Sequence, residues 1–118
     1  MGAATGEDGQ DLGQQVRVIA GREIVFDGEG FFTNYDDWSE EVCLALARQS
    51  GLSELDEKQW RVIRFIREFY EYNGRAPLNK QLKGGTGMSV LEMEGLFPEG
   101  LKYGARRLAG LPNPKTCG

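Results

Sequence analysis

Trp60-Arg-Val-Ile-Arg-Phe-Ile-Arg-Glu-Phe-Tyr70 is the stretch that decides the fold. Trp60, Val62, Ile63, Phe65, Ile66, Phe69 and Tyr70 make a wide apolar band at helical spacing. On the other side, Glu57 and Arg61, Arg64 and Glu68, and Arg67 and Glu71 stand four apart, the spacing of helix-surface ion pairs. The pattern predicts a helix from a cap at Ser53 to Tyr72, ended by Asn73-Gly74. That much aromatic bulk marks the central core helix rather than a cofactor box.

Toward the N-terminus, residues 1–14 are rich in Gly, Asp and Gln and almost without apolar side chains. They bury too little surface to offset their ordering entropy, so disorder is expected. Val16–Ala20 and Glu23–Phe26 are β-prone runs around Gly21-Arg22, the pattern of a short hairpin. Such a hairpin is marginal alone and must lie against helices, with Phe31 and Phe32 as its anchors. A first helix is expected from Asp36 or Asp37, with Glu40 and Glu41 in the favourable first turn. Its apolar stripe is Trp38, Val42, Ala45 and Leu46, with Cys43 at the edge as a small buried hydrophobe.

Toward the C-terminus, Pro77 opens a short helix over Leu78–Lys83, and Gly84-Gly-Thr-Gly87 breaks it. That glycine pair could suggest a phosphate cradle, but no strand precedes it and no Lys-Ser/Thr follows, so it reads as a turn. Ser89 caps a helix over Val90 to Phe97, closed by Pro98 and Gly100, and Leu101 to Leu108 forms the last helix. The expected fold is mainly α: a small orthogonal helical bundle with an N-terminal β-hairpin and an extended C-terminal arm. The domain covers residues 15–108 and the flexible arm residues 109–118.

At 118 residues the chain is one domain, able to bury a core. No apolar run approaches the ~20 residues of a membrane span, and the N-terminus lacks the build of a secretory signal. A cytoplasmic protein with no membrane contact is expected. Residues 1–74 carry 7 basic and 15 acidic side chains, and residues 75–118 carry 7 basic and 3 acidic. The basic end could steer an acidic partner or an anion, with Lys80, Lys83, Arg106, Arg107 and Lys115 as the candidate residues. There are two cysteines and no histidine. A disulfide framework is therefore out, a zinc site lacks its usual ligands, and histidine-based nucleophilic catalysis is excluded. No metal or cofactor is expected.

What remains is cysteine or carboxylate chemistry, or chemistry lent by a partner, and the function is placed in the tail, Ala109-Gly-Leu-Pro-Asn-Pro-Lys-Thr-Cys117-Gly118. Pro112 and Pro114 cannot continue a helix, so the stretch should leave the body semi-extended and hold a thiol for a partner's pocket. Lys115 and any approach of Arg106 or Arg107 would lower the pKa of Cys117, and the terminal carboxylate, at an expected distance of roughly 5 Å, would raise it through a Coulomb energy of about 0.8 kcal/mol in water. An ordinary thiol is expected in the free protein, activated only by a partner.

Ala109-Gly-Leu-Pro112-x-Pro114 with a penultimate cysteine resembles the end of the DsrC/TusE family of sulfur-relay proteins. Val25-Phe-Asp27, Gly30-Phe31, Asp36-Asp-Trp38, Trp60, Arg67-Glu-Phe-Tyr70 and Leu96-Phe-Pro98-x-Gly100 follow in the family's order, so the resemblance covers roughly residues 19–118. It implies a carrier that accepts and delivers persulfide sulfur on Cys117, a sulfurtransferase-type function without autonomous catalysis. Its implied partners are other sulfur-relay or sulfite-reductase-type proteins. DsrC-type members carry a second cysteine eleven positions before the penultimate one, and here that position is Arg106. The chain is in that respect closer to TusE, which implies tRNA 2-thiolation or a related sulfur pathway. Lys80 in place of an arginine, Leu101 in place of a proline, Gly118 in place of an aliphatic residue and a short segment from Lys83 to Ser89 depart from the family pattern. A second reading is an accessory subunit or DNA-binding regulator of sulfur metabolism, because two short helices around a glycine turn resemble a helix-turn-helix. The overall charge of −4 disfavours direct nucleic-acid contact.

Overall fold

The structure is a computed structural model, and it describes residues 13–113. The hairpin pairs β1 (Gln15–Ile19) with β2 (Arg22–Phe26) in antiparallel register, Val16 opposite Val25 and Ile19 opposite Arg22. Its two-residue turn is Ala20-Gly21, one position earlier than expected, and both residues have positive φ, 52° and 79°. That pair of left-handed conformations matches the twist of the strands. Ile19, Ile24 and Phe26 face the core while Val16 and Val18 face out. Phe31 and Phe32 anchor the chain that follows and are fully buried. Phe32 stands edge-on to Phe26, ring centroids 5.0 Å apart.

Asp36 and Asp37 do not begin the first helix. They lie in a separate 3-10 turn, Tyr35–Asp37, capped by the Asn34 side chain. The helix α1 runs Glu40–Gln49, and Ser39 is its cap, accepting from the Val42 N–H. Its buried residues are Val42, Cys43, Leu46 and Ala47, so Cys43 is central to the buried face rather than at its edge.

The central helix α2 is Glu57–Asn73. It starts three residues later than predicted because Asp56 outcompetes Ser53 as cap. The Asp56 carboxylate accepts from the Gln59 N–H, and the Gln59 side chain accepts from the Asp56 N–H, a reciprocal box Ser53 has no partner to make. Gly74, at φ 72°, ends the helix as expected. Val62, Ile63 and Ile66 are fully buried and set α2 in the common core, where it packs against α3, α4 and the last helical turn.

Helix α3 is Asn79–Thr86, and Pro77 precedes it as a buried residue. The glycine pair does not break this helix, which continues through Gly84 and Gly85 and stops at Gly87, φ 76°. The reason is packing: a Cβ on Gly85 would stand 2.1 Å from Phe65 Cε1, so a glycine lets α3 cross α2 closely. Helix α4, Val90–Leu96, is capped by Ser89 as predicted. The last helical segment is a π-helical turn, Leu101–Ala105, that passes into a short α5, Arg106–Leu108. Among the described residues the fold is therefore five helices on one core with a two-stranded hairpin at the N-terminal end.

Candidate functional site: the root of the C-terminal arm

The chain does not leave the body at residue 109. Ala109 and Leu111 are buried, and Asn113 is only 6% exposed. Two features hold this root. The Gly110 N–H donates to the Arg107 carbonyl and the Leu111 N–H to the Arg106 carbonyl, which closes the end of α5. The last carbonyls of a helix have no partners within it, and here side chains from elsewhere supply them. The Trp38 indole N–H donates to the Leu108 carbonyl at 2.7 Å, and Arg67 Nη1 donates to the Ala109 carbonyl at 2.8 Å.

Arg67 is caged. Its guanidinium lies 3.9 Å from the centre of the Trp38 ring and 4.1 Å from that of Tyr35. Cation–π attraction of this kind offsets part of the cost of desolvating the charge. Burial pulls the Arg67 pKa below its ordinary value, and Tyr35 and Glu71 pull the other way. An arginine keeps its proton through such a shift. The single proton of the Tyr35 hydroxyl is shared between two acceptors, Glu71 Oε2 at 2.9 Å and the Arg67 carbonyl at 3.2 Å. Burial, then the Glu71 hydrogen bond, raise its pKa to about 12. Gly110 completes the cage wall: its φ is 80°, and a Cβ there would stand 2.7 Å from Trp38 Cδ1.

The candidate residues named from the sequence fall into three groups. Cys117 and Lys115 lie outside the described residues. Lys80 and Lys83 are exposed on α3. Arg106 and Arg107 are committed inward instead of forming a free basic surface. Arg107 binds Glu99 at 2.8 Å and donates to the Gly30 carbonyl at 3.4 Å. Arg106 is half-buried, donates to the Pro77 carbonyl at 3.2 Å, and has a buried Nε with no partner among the described residues. Burial lowers its pKa. Cys43 is fully buried, and burial, partly offset by Trp38, pushes its thiol up to about 12. It is a neutral core group with no access to a sulfur donor.

Tyr35, Arg67 and Gly110 are the residues whose roles the sequence reading missed. Arg67 was assigned to the solvent face with Glu71. The available signal was its position one turn before Tyr70 on a helix already aromatic on most of its circumference. An arginine there has ring faces within reach.

The helix-turn-helix reading finds no support in α4. Its exposed side chains Leu91, Glu92 and Glu94 include two carboxylates and no cation, the wrong charge for a phosphate backbone. Among the described residues no group of His, Cys, Asp and Glu could hold a metal ion. None of the described helices is long and apolar enough to cross a membrane.

Comparison with known proteins places this architecture. The sequence pattern of the family described as "DsrC like protein" matches residues 18–118. A protein named sulfurtransferase TusE from Photorhabdus laumondii is 38% identical over 107 residues, 85% of this chain and 96% of its own. The dissimilatory-type sulfite reductase subunit gamma of Nitratidesulfovibrio vulgaris is 34% identical over 97 residues, 82% of this chain and 92% of its own. A chain in the crystal structure of dissimilatory sulfite reductase I superposes with a TM-score of 0.79 at 33% identity, covering 85% of this chain and 96% of that one. With one sequence pattern running from the second residue of the hairpin's exposed face to the last residue, and the same fold in a solved relative, the chain belongs to the DsrC-like protein family.

Proposed function

We propose that the chain is a sulfur-relay carrier whose working group is the thiol of Cys117. The observation that carries the reading is the division of labour between two cysteines. Cys43 is sealed in the core with a raised pKa, while Cys117 lies, in sequence, four residues after Asn113, the last described residue. The sulfurtransferase TusE relative and the sulfite reductase gamma relative support sulfur handling as the family's work.

The transfer is a thiol–persulfide exchange. The Cys117 thiolate attacks the outer sulfur of a donor persulfide, R–S–SH. The bond between the two donor sulfurs breaks, R–S⁻ leaves with the electron pair, and Cys117 carries the persulfide. Delivery is the reverse event on an acceptor thiolate. No external oxidant or reductant enters, so one thiol suffices and the residue at 106 need not be a second cysteine. The acceptor pathway we favour is tRNA 2-thiolation or a related sulfur route, with relay or sulfite-reductase-type proteins as partners. The partner supplies the environment that activates the thiol, since the chain holds no histidine to act as a base.

The test is intact mass after incubation with a persulfide donor. A gain of about 32 Da on the wild type and on Cys43→Ala, and none on Cys117→Ser, is expected. A gain that survives Cys117→Ser would move the activity elsewhere and end the proposal.

A further inference from the structure

The cage around Arg67 does more than close a helix. We propose that Tyr35, Trp38 and Arg67 form a clamp that fixes where the arm leaves the body, making Arg67 a positioning residue for the terminal thiol. The arm's role in this statement rests on the carrier reading; the clamp itself does not.

Three observations meet in it. First, two successive carbonyls, those of Leu108 and Ala109, are bound by side chains remote in sequence, from residues 38 and 67. Second, the next residue, Gly110, passes so close to Trp38 that a methyl group would not fit. Third, burial continues through Leu111 to Asn113 and does not fade after the clamp.

The consequence is metrical. From Asn113 to Cys117 there are four Cα steps, so the thiol-bearing residue stays within roughly 14 Å of Asn113 in any conformation. Were the chain free from Leu108, nine steps would carry it roughly 31 Å. Lengthening a tether from four to nine residues dilutes its end at a fixed docking point by about threefold. A carrier that must enter a partner's pocket gains from the short tether, because the body's docking surface then determines where the thiol arrives.

The choice of groups fits this work. A caged guanidinium donates from a fixed plane, whereas a lysine ammonium rotates freely. Tyr35 is itself held at its hydroxyl against Glu71 and the α2 backbone, and Trp38 at its indole N–H, so each wall of the cage is anchored at a polar atom.

The experiment uses the full chain with a methanethiosulfonate nitroxide on Cys117, Cys43 being buried. In the wild type the label should broaden amide signals over one patch around Asn113. In Arg67→Gln the broadened patch should spread over the body, and the Gly110 and Leu111 amides should exchange about tenfold faster or more, the loss of one charge-assisted hydrogen bond. The amides of Val62, Ile63 and Ile66 should keep their protection, which a general loss of structure would not allow. Arg67→Lys should restore part of the wild-type pattern. If Arg67→Gln does not fold, Trp38→Phe removes the indole donor and part of the ring wall against Arg67 and Gly110, and must shift the same signals in the same direction. An unchanged broadening pattern and unchanged exchange in the folded variant would overturn the clamp. Persulfide uptake measured on an unlabelled portion of the same wild-type preparation separates the two ideas. No uptake with a spread pattern in Arg67→Gln sinks the carrier and keeps the clamp; uptake with an unmoved pattern does the reverse.

Discussion

Two ends of α2 perform the same task by different chemistry. At its N-terminal end Gln59 Nε2 donates to the Leu96 carbonyl, the last of α4, at 2.6 Å. Toward its C-terminal end Arg67 donates to the Ala109 carbonyl, just beyond α5, at 2.8 Å. Both satisfy a carbonyl that a helix end leaves without a partner. Gln59 is neutral, nearly buried, and its other side-chain atom is used in the Asp56 box. It costs little to desolvate and holds only the fold. Arg67 is charged and needs two aromatic faces to sit where it does. The difference teaches that the neutral tie secures two helices to each other, while the charged and caged one secures the segment from which the thiol departs.

The comparison breaks first at the neutral tie. Gln59→Leu removes the Leu96 partner and half of the capping box together, and should destabilise the fold by about 3 kcal/mol. Chemical denaturation measures this, and the nitroxide pattern at the arm should remain that of the wild type. A spread pattern here would make the two ends one cooperative unit. Gly110→Ala is the sharper probe of the other end. It forces a left-handed alanine against Trp38 and should cost about 2 kcal/mol, with faster amide exchange at Leu111 as its local sign.

The alkaline limb of stability distinguishes the arm's underlay from the rest. Cys43 goes from an ordinary 9.0 to about 12 on folding, and Tyr35 from 10.0 to about 12. Both are acids that stay protonated longer in the folded state. Their contribution is complete below about pH 9 and is lost as pH climbs toward about 12. Denaturation midpoints should therefore fall from pH 9 upward, and Tyr35→Phe should flatten the part of the slope above pH 10. A slope unchanged in that variant would remove Tyr35 as its source. The smallest effect belongs to the exposed ion pair: Arg64→Gln breaks the bond to Glu40, both side chains being more than half exposed, and should change stability by under about 1 kcal/mol.

Most elements were legible because local rules suffice for them. Trp60 to Tyr70 repeats with a helical period, Ser89 precedes an apolar run, and Gly74 follows one. The misreadings lie where two local options compete. Ser53 and Asp56 both suit a cap, and only the side chain three residues on decides between them. Gly84-Gly85 reads as a helix breaker until the Phe65 ring against it supplies a reason for glycine. The pairing of Arg64 with Glu68 gave way to Glu40 on another helix, since an exposed arginine takes whichever carboxylate packing brings near.

The arm was legible as chemistry but not as geometry. One thiol near the end, behind two prolines, and no histidine anywhere pointed to a carrier. Where the arm begins was not readable from Ala109-Gly-Leu-Pro112, because Gly and Pro mark a turn without saying what packs against it.

From the chain alone come the aromatic helix and the hairpin, consequences of short-range period, the exclusion of histidine chemistry, a consequence of residue type, and the family resemblance, carried by the order of its motifs. The central place of Cys43 on the buried face, the inward commitment of Arg106 and Arg107 and the caging of Arg67 were settled only when α1, α2 and the last turn met. A cation's fate depends on which rings and carbonyls surround it, and those came from residues 35, 38 and 109, up to 42 positions from Arg67 along the chain.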